Sequence, residues 1–449
     1  MKNITTQYID SLFNLSKQEY SEDIIRIVKR FLLDYIGVTI AGAKILETEN
    51  GKYFEQIQTN GIYKVIGYNK ATDIYSAALI NGINSHICEL DDGVRQGSIH
   101  PGSPIFSALL ALADSGQISG TDLIRGAIVG YEASIRLAIA IQPHHRNLGF
   151  HATATCGTVG VAIAVSAALN YSKEKYHDVL SAACTNLSGM LAVTKGSSEL
   201  KPYHGGKAAV SGLMAAIVGG HMFSGLDNVL DGDWGVLNMY TDSYNVNPLI
   251  APISMSSLGI HKVYMKPFAA CRHAHPSIEA ILNIKKDHII DIANIDRINV
   301  FTYKLATKGH EHTKIEGITS AKMSIPYGIS VAMILGNAGL YEYTEDIISK
   351  QEILDLTSKV TVVFDEELDA LVPQKRPAKV EVVLNDNSVF TSIVELAKGE
   401  PENPLTENEA KNKFKSLCQF AKKSDVEIYQ IFNSVSIIDN SIEELIKLL

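Results

Sequence analysis

The 449-residue sequence has only five cysteines, Cys88, Cys156, Cys184, Cys271 and Cys418. The number is odd, the spacing is wide and no pair reads CxxC, which argues against a disulfide framework, a structural zinc knot or a cysteine-ligated iron–sulfur cluster. A reducing, cytoplasmic compartment is the expectation. The start, MKNITTQYID, lacks the basic and apolar regions of a secretory signal. The longest apolar stretch, Gly157 to Leu169, is shorter than the ~20 residues a membrane span needs. Basic surplus is also missing. Acidic residues outnumber basic ones 49 to 40, giving −9, so nothing favours nucleic acid. Disorder and low complexity are excluded by 46% hydrophobic and 20% charged residues.

What is present is helical periodicity. Residues 5 to about 260 read as helices. Ser21 should cap one whose apolar positions run from Ile24 to Ile36 at a 3.6-residue period, with Lys29, Arg30 and Asp34 facing away. Ser103-Pro104 reads as an N-cap with proline at the first helical position. Residues 121–142, 156–170, 177–195 and 205–219 continue the pattern, rich in alanine and glycine, and should form the centre of the bundle. After about residue 260 the segments 295–303, 359–368 and 378–394 read as strands, the last with a hairpin turn at Asn385-Asp386-Asn387. Helical patterns near 276–285, 322–335 and 344–354 lie among them. Helices return after Pro404. The fold class is therefore mainly α: a large helical domain built from both chain ends (1–262 and 397–449), with a smaller α+β lid (263–396) inserted.

Titratable residues concentrate in five short segments, each read as a loop before a helix. They are His86–Arg95 leading to His100, Gly149–His151, Lys201–Lys207, Lys266–His275 and Ser324–Tyr327. Several helix N-termini meeting Lys and His side chains would form a cradle for anions, and carboxylates above all.

These segments resemble the MmgE/PrpD family of 2-methylcitrate dehydratases, cis-aconitate decarboxylases and iminodisuccinate epimerases. The resemblance rests on LLDYIGVTIAGA, NGINSHICELDDG…HPGSPIFSALLALAD, GFHATATCGTVGVAIAVSAALN, KPYHGGKAAVSGLMAA, KPFAACRHAHPSIEAIL and AKGEPENPLTENEAKNKF, in that order. It implies a homodimer and chemistry without metal or organic cofactor, at a site between the domains. It also implies roles for particular residues. His100, His151 and His275 would supply acid–base chemistry. Lys201 would bind or activate, Asp91 would serve as a carboxylate, and Tyr327 matches the family's SxxY tyrosine. Glu89, Arg95, His204 and Arg272 join them as candidate substrate contacts. One departure stands out: the family's DFDDT reads ELDDG here, placing Glu89 and Gly93 at altered positions, with one extra residue before His100.

Each residue has an ordinary alternative. A loop histidine caps a helix, a lysine makes a surface ion pair, and Asp91 and Asp92 order their loop. Cys271 reads as a small buried residue, although His273 or His275 could act as its base. His144-His145 and His310-Glu311-His312 lack the HExxH spacing and read as solvated loops. Lys195-Gly196 follows no phosphate-binding pattern. The function expected is a lyase on a small di- or tricarboxylate, working by proton abstraction beside a carboxylate. A 2-methylcitrate dehydratase-like hydro-lyase leads, with decarboxylation or epimerisation as alternatives. An inactive carboxylate-binding protein of the same fold, and a metal-dependent lyase built on Glu89, Asp91, Asp92 and His100, are the competing classes.

Overall fold

The computed structural model describes residues 3–57, 61–194 and 198–449; Lys195-Gly196 lies outside them. The chain folds as two compact units, one of residues 1–263 and 408–449, the other of 264–407. Among the described residues no helix is long and apolar enough to cross a membrane.

The first unit is helical: α1 (Ile4–Ser16), α2 (Glu22–Ile45), α3 (Glu47–Ile57), α4 (Ile74–Ile87), α5 (Gly102–Asp114), α6 (Gly120–Ile141), α7 (Ala152–Ala168), α8 (Lys173–Cys184) and α9 (Tyr203–His221). A short antiparallel hairpin interrupts it, β1 (Tyr63–Val65) and β2 (Tyr68–Thr72), where only helix was expected. The longest apolar stretch of the sequence explains itself as α7, every residue of which is buried. It packs on α6 and α9, and α9 packs on α4. Small residues permit this: a Cβ on Gly82 of α4 would stand 2.6 Å from the Gly206 Cα of α9. Ser21 caps α2 as its position suggested, its hydroxyl accepting from the Ile24 N–H. Asp34, expected to face away, is buried instead and meets Lys413 Nζ at 2.6 Å. Its partner lies hundreds of residues downstream, so the local period could not show it.

The second unit holds a four-stranded sheet of order β4-β3-β5-β6, from β3 (Ile295–Thr302), β4 (Val360–Phe364), β5 (Ala378–Leu384) and β6 (Val389–Val394). β3 runs parallel to β4 and antiparallel to β5, and β5–β6 is the expected hairpin, with Asn387 in the left-handed region at φ 69°. Helices α10 (His275–Asp287), α11 (Ile325–Leu335) and α12 (Gln351–Ser358) complete it, with α10 against β5 and β6 and α11 against β4. Residues 397–400 belong here structurally, because the Ala397 and Lys398 carbonyls and the Glu400 carboxylate all accept from Arg272. The return to the first unit follows in α13 (Glu407–Phe420), α14 (Asp425–Ser436) and α15 (Ile442–Leu448).

Candidate active site

In the first unit, the end of α4, the acidic loop and the starts of α7 and α9 bring four imidazoles together. His86 lies inside the last turn of α4 rather than in a loop, and is fully buried. Its Nδ1 is 2.6 Å from Asp91 Oδ2, which also lies 3.5 Å from His100 Nδ1. His100 Nδ1–H donates to the Asp92 carbonyl at 2.6 Å. That bond fixes the tautomer and makes Nε2 the basic nitrogen of the neutral ring. Ring centroids of His86 lie 5.1 Å from those of His100 and 6.3 Å from those of His151.

The loop is held at both ends. Glu89 adopts a left-handed conformation (φ 56°) as the chain turns out of α4, and its carboxylate pairs with Lys201 Nζ. Lys413 of α13 donates to the Leu90 carbonyl at 2.8 Å. Asp92 accepts from the Gly102 N–H at 3.0 Å and from the Tyr131 hydroxyl at 2.5 Å. It thus caps α5, the role expected of Ser103, whose hydroxyl instead meets Ser85 Oγ at 2.6 Å. Only glycine fits at position 102, because a Cβ would sit 2.5 Å from the Tyr131 hydroxyl and 2.7 Å from Asp92 Oδ2. Burial pushes the Asp92 carboxyl up to about 7, against the lowering bond from Tyr131.

His151 is the N-cap of α7 and His204 sits in the first turn of α9. Their Nδ1 atoms are 2.8 Å apart. One ring must donate and the other accept, so the pair shares a single bridging proton. Burial drives His151 well below its ordinary pKa, and the neighbouring His204, His86, Lys201 and His100 push the same way. Burial, helped by His86, Lys207 and Lys201, lowers His204 to about 4. Two helix N-termini carry these rings, and their partial positive charge also favours the neutral form. At neutral pH the pair is therefore a proton acceptor. Burial lowers Lys207 to about 8, and its ammonium donates to the Asn186 carbonyl at 2.6 Å.

Of the candidates named from sequence, Glu89, Asp91, His100, His151, Lys201 and His204 come together here, and Arg95 is buried in the same loop. Two participants were missed. His86 was signalled by its place five residues before Asp91. Tyr131 had no signal, since α6 delivers it from thirty-nine residues beyond Asp92.

The other candidates belong to the second unit. Arg272 meets Glu400 Oε1 through Nε at 3.0 Å and Nη2 at 2.8 Å, and its guanidinium lies 4.8 Å from the Tyr264 ring. The carboxylate it grips is the chain's own. His275 is fully buried between Arg272 Nη1, 2.9 Å from Nδ1, and the Ala270 carbonyl, 3.1 Å from Nε2. The Tyr327 hydroxyl donates to the Glu342 carbonyl at 2.7 Å. Two histidine pairs are less solvated than their sequence suggested. His145 is buried, with Nδ1 donating to the Tyr240 carbonyl at 2.7 Å. His310 is partly buried, and its Nε2 lies 3.9 Å from Cys271 Sγ. Burial alone would lower the His310 pKa, yet the Cys271 sulfur and the Met323 carbonyl hold it up at about 9.

Comparison with known proteins assigns the chain to a family. The MmgE/PrpD N-terminal domain matches residues 7–249 and the MmgE/PrpD C-terminal domain matches residues 268–436. The chain belongs to the MmgE/PrpD family, which supports an enzymatic activity in general. It is 27% identical over 442 residues to a cis-aconitate decarboxylase of Aspergillus terreus, covering 92% of this chain and 89% of that protein. It is 25% identical over 435 residues to the cis-aconitate decarboxylase of Homo sapiens, covering 93% and 88%. The Mus musculus protein of the same name is 23% identical over 474 residues, covering 96% and 91%.

Proposed function

We propose that the chain is a lyase acting on small di- or tricarboxylates by proton transfer at the carbon beside a carboxylate. The observation that carries this reading is the His151–His204 pair, buried, neutral and sharing one proton, in a site that also holds the Lys201–Glu89 pair. A neutral imidazole is the right base at pH 7. Lys201 supplies the cation that a substrate carboxylate needs, and its charge offsets the negative charge that builds there in the transition state. Asp91 positions His86 and His100 rather than reacting itself. His100 presents Nε2 as a second proton-transfer group.

In dehydration, an imidazole takes the C–H proton. The electron pair forms the double bond, and the β-hydroxyl leaves as water with a proton from a second group. This outcome is favoured by the neutral state of the pair. In decarboxylation, the C–C bond electrons stay on carbon as carbon dioxide departs, and an imidazolium then protonates that carbon. This second reading is favoured by the relatives, which are named cis-aconitate decarboxylases. Both use the same residues.

The test is proton-exchange NMR in deuterated water, with carbon dioxide release followed in parallel, on citrate, 2-methylcitrate, cis-aconitate and iminodisuccinate. Deuterium incorporation next to a carboxylate supports the reading, and the product separates its two forms. His151→Asn should lower turnover on the order of 10²–10⁴-fold while keeping the native melting temperature. Undiminished turnover in that variant sinks the proposal.

A further inference from the structure

The second unit carries a group of metal-ligating side chains that the lyase chemistry does not use. Cys271, His273 and His310 each offer one ligand atom, all within 4.8 Å of one another, and all three residues are partly buried. We propose that these three side chains bind a zinc ion through the Cys271 thiolate and one imidazole nitrogen of each histidine, with water in the fourth position.

The donor set points to zinc. A thiolate with two imidazoles suits a borderline-soft tetrahedral cation and is wrong for magnesium or calcium, which take oxygen. The spacing fits as well. Zn–S near 2.3 Å and Zn–N near 2.0–2.1 Å would put ligand atoms roughly 3.3–3.6 Å apart in a tetrahedron. Cys271 Sγ and His310 Nε2 stand at 3.9 Å before any ion pulls them together.

Orientation is the independent argument. Metal-bound histidines usually engage a partner through the ring nitrogen that does not bind the metal. His310 Nδ1 does this with the Met323 carbonyl at 2.8 Å, and His273 Nδ1 does it with the Tyr303 hydroxyl at 2.6 Å. In His310 this turns Nε2 towards the Cys271 sulfur. Tyr303 is fully buried, which fixes the His273 ring from behind. The ring centroids of the two histidines are 5.2 Å apart.

The backbone is built around the site too. The Cys271 N–H donates to the Lys322 carbonyl at 2.8 Å, and the Ile325 N–H donates to the His310 carbonyl at 2.9 Å. Two segments thirty-nine residues apart are thus braced where the ligands meet, so no short motif could reveal them. Binding expels to solvent the proton that the Cys271–His310 pair holds, and joins the turn that carries Arg272 to the segment that precedes α11.

The full-length protein, stripped with a chelator and kept reduced, would be titrated with Co(II) as a spectroscopic probe. One equivalent should bring a thiolate-to-cobalt charge-transfer band in the near ultraviolet and tetrahedral bands in the visible, and Zn(II) should abolish both. Cys271→Ser and His310→Gln should lose the charge-transfer band, while His151→Asn and His204→Gln should keep it, because the imidazole cluster of the first unit has no thiolate. The wild-type protein supplies a check that needs no variant. Stoichiometric zinc should slow alkylation of Cys271 at least tenfold, with Cys184, also partly exposed, as the internal control. Cobalt bands without thiolate character, bands that survive Cys271→Ser, or Cys271 alkylation at the same rate with and without zinc would each overturn the proposal.

Discussion

Replacing Gly206 by alanine tests whether the imidazole cluster depends on how closely α9 lies against α4. A Cβ at 206 would sit 2.3 Å from the Leu79 carbonyl oxygen and 2.9 Å from Ile83 Cγ1, where ordinary contact begins at 3.4 Å. The isoleucine tip can rotate away, but the carbonyl is helix backbone and cannot. The start of α9 must therefore retreat by about 1 Å, the shortfall between 2.3 Å and ordinary contact at 3.4 Å, because a rotamer change cannot relieve a backbone clash. Two effects compete in stability. Glycine to alanine inside a helix gains at most about 1 kcal/mol, less in this first turn. Overpacking costs about 1–3 kcal/mol. The net expectation is a loss of about 1–2 kcal/mol, read from urea unfolding with an unchanged m-value. Activity should suffer more. His204 lies two residues from the wedge, so the retreat stretches its 2.8 Å contact to His151 by a comparable amount. Misplacement of that size is worth on the order of 10²-fold in rate. The assay is the exchange reaction described above, with circular dichroism confirming native helix content. A Gly206→Ala protein with wild-type stability and wild-type exchange would refute both the packing argument and the place of His204 in the chemistry.

Lys201→Met should raise KM for a polycarboxylate and lower kcat, because it removes the cation and leaves Glu89, 8% exposed, without that ion-pair partner; Glu89→Gln in the same background should restore stability but not activity, as double-mutant unfolding curves would show. Two groups tilt stability with pH in opposite directions. His204, lowered from 6.5 to about 4, contributes stability that is present above pH 6.5 and lost as pH falls towards 4; Asp92, raised from 3.8 to about 7, contributes stability that is present below pH 3.8 and lost as pH rises through 7. His204→Gln should therefore make unfolding free energy between pH 4 and 6.5 fall more, or rise less, with pH than in the wild type, and Asp92→Asn the reverse; parallel profiles for both variants would contradict the burial argument.

The sequence exposed the helical chain ends, the strands of the second unit and most of the imidazole cluster, for one reason. Those features are local: a 3.6-residue period, β-branched runs, and titratable residues crowded before helices. What it hid was fixed at long range. Asp34 reads as a solvent-facing residue until Lys413 arrives from α13, and Asp92 reads as a loop acid until Tyr131 reaches it from α6. Ser103 looked like a cap by type, but Asp92 took that position because the close α4–α5 approach turns the serine to Ser85. His310 looked solvated because its neighbours, Cys271 and His273, are far away in sequence.

The His151–His204 pair, kept neutral by burial and by its neighbours, has a consequence for binding. His151 is depressed partly by the positive charge of its surroundings, Lys201 included. A ligand carrying two or three carboxylates reverses that field, since a nearby anion favours the protonated ring. A fraction of the rings that are neutral in the free protein should then gain a proton as the ligand binds, the remainder staying available as the base. Binding is thus coupled to proton uptake, and affinity should rise as pH falls from 7.5 to 6. The uptake also converts a base into an acid, so the same pair can deliver a proton to carbon once carbon dioxide has left, or to a departing hydroxyl. Titration calorimetry in buffers of different ionisation enthalpy measures it directly. With citrate or cis-aconitate as ligand, the apparent enthalpy should vary with the buffer, the slope giving between a few tenths of a proton and one proton taken up per ligand at pH 7. His151→Asn combined with His204→Gln should flatten that dependence. If the wild-type enthalpy is the same in every buffer, the carboxylates do not face these rings, and another part of the molecule holds the substrate.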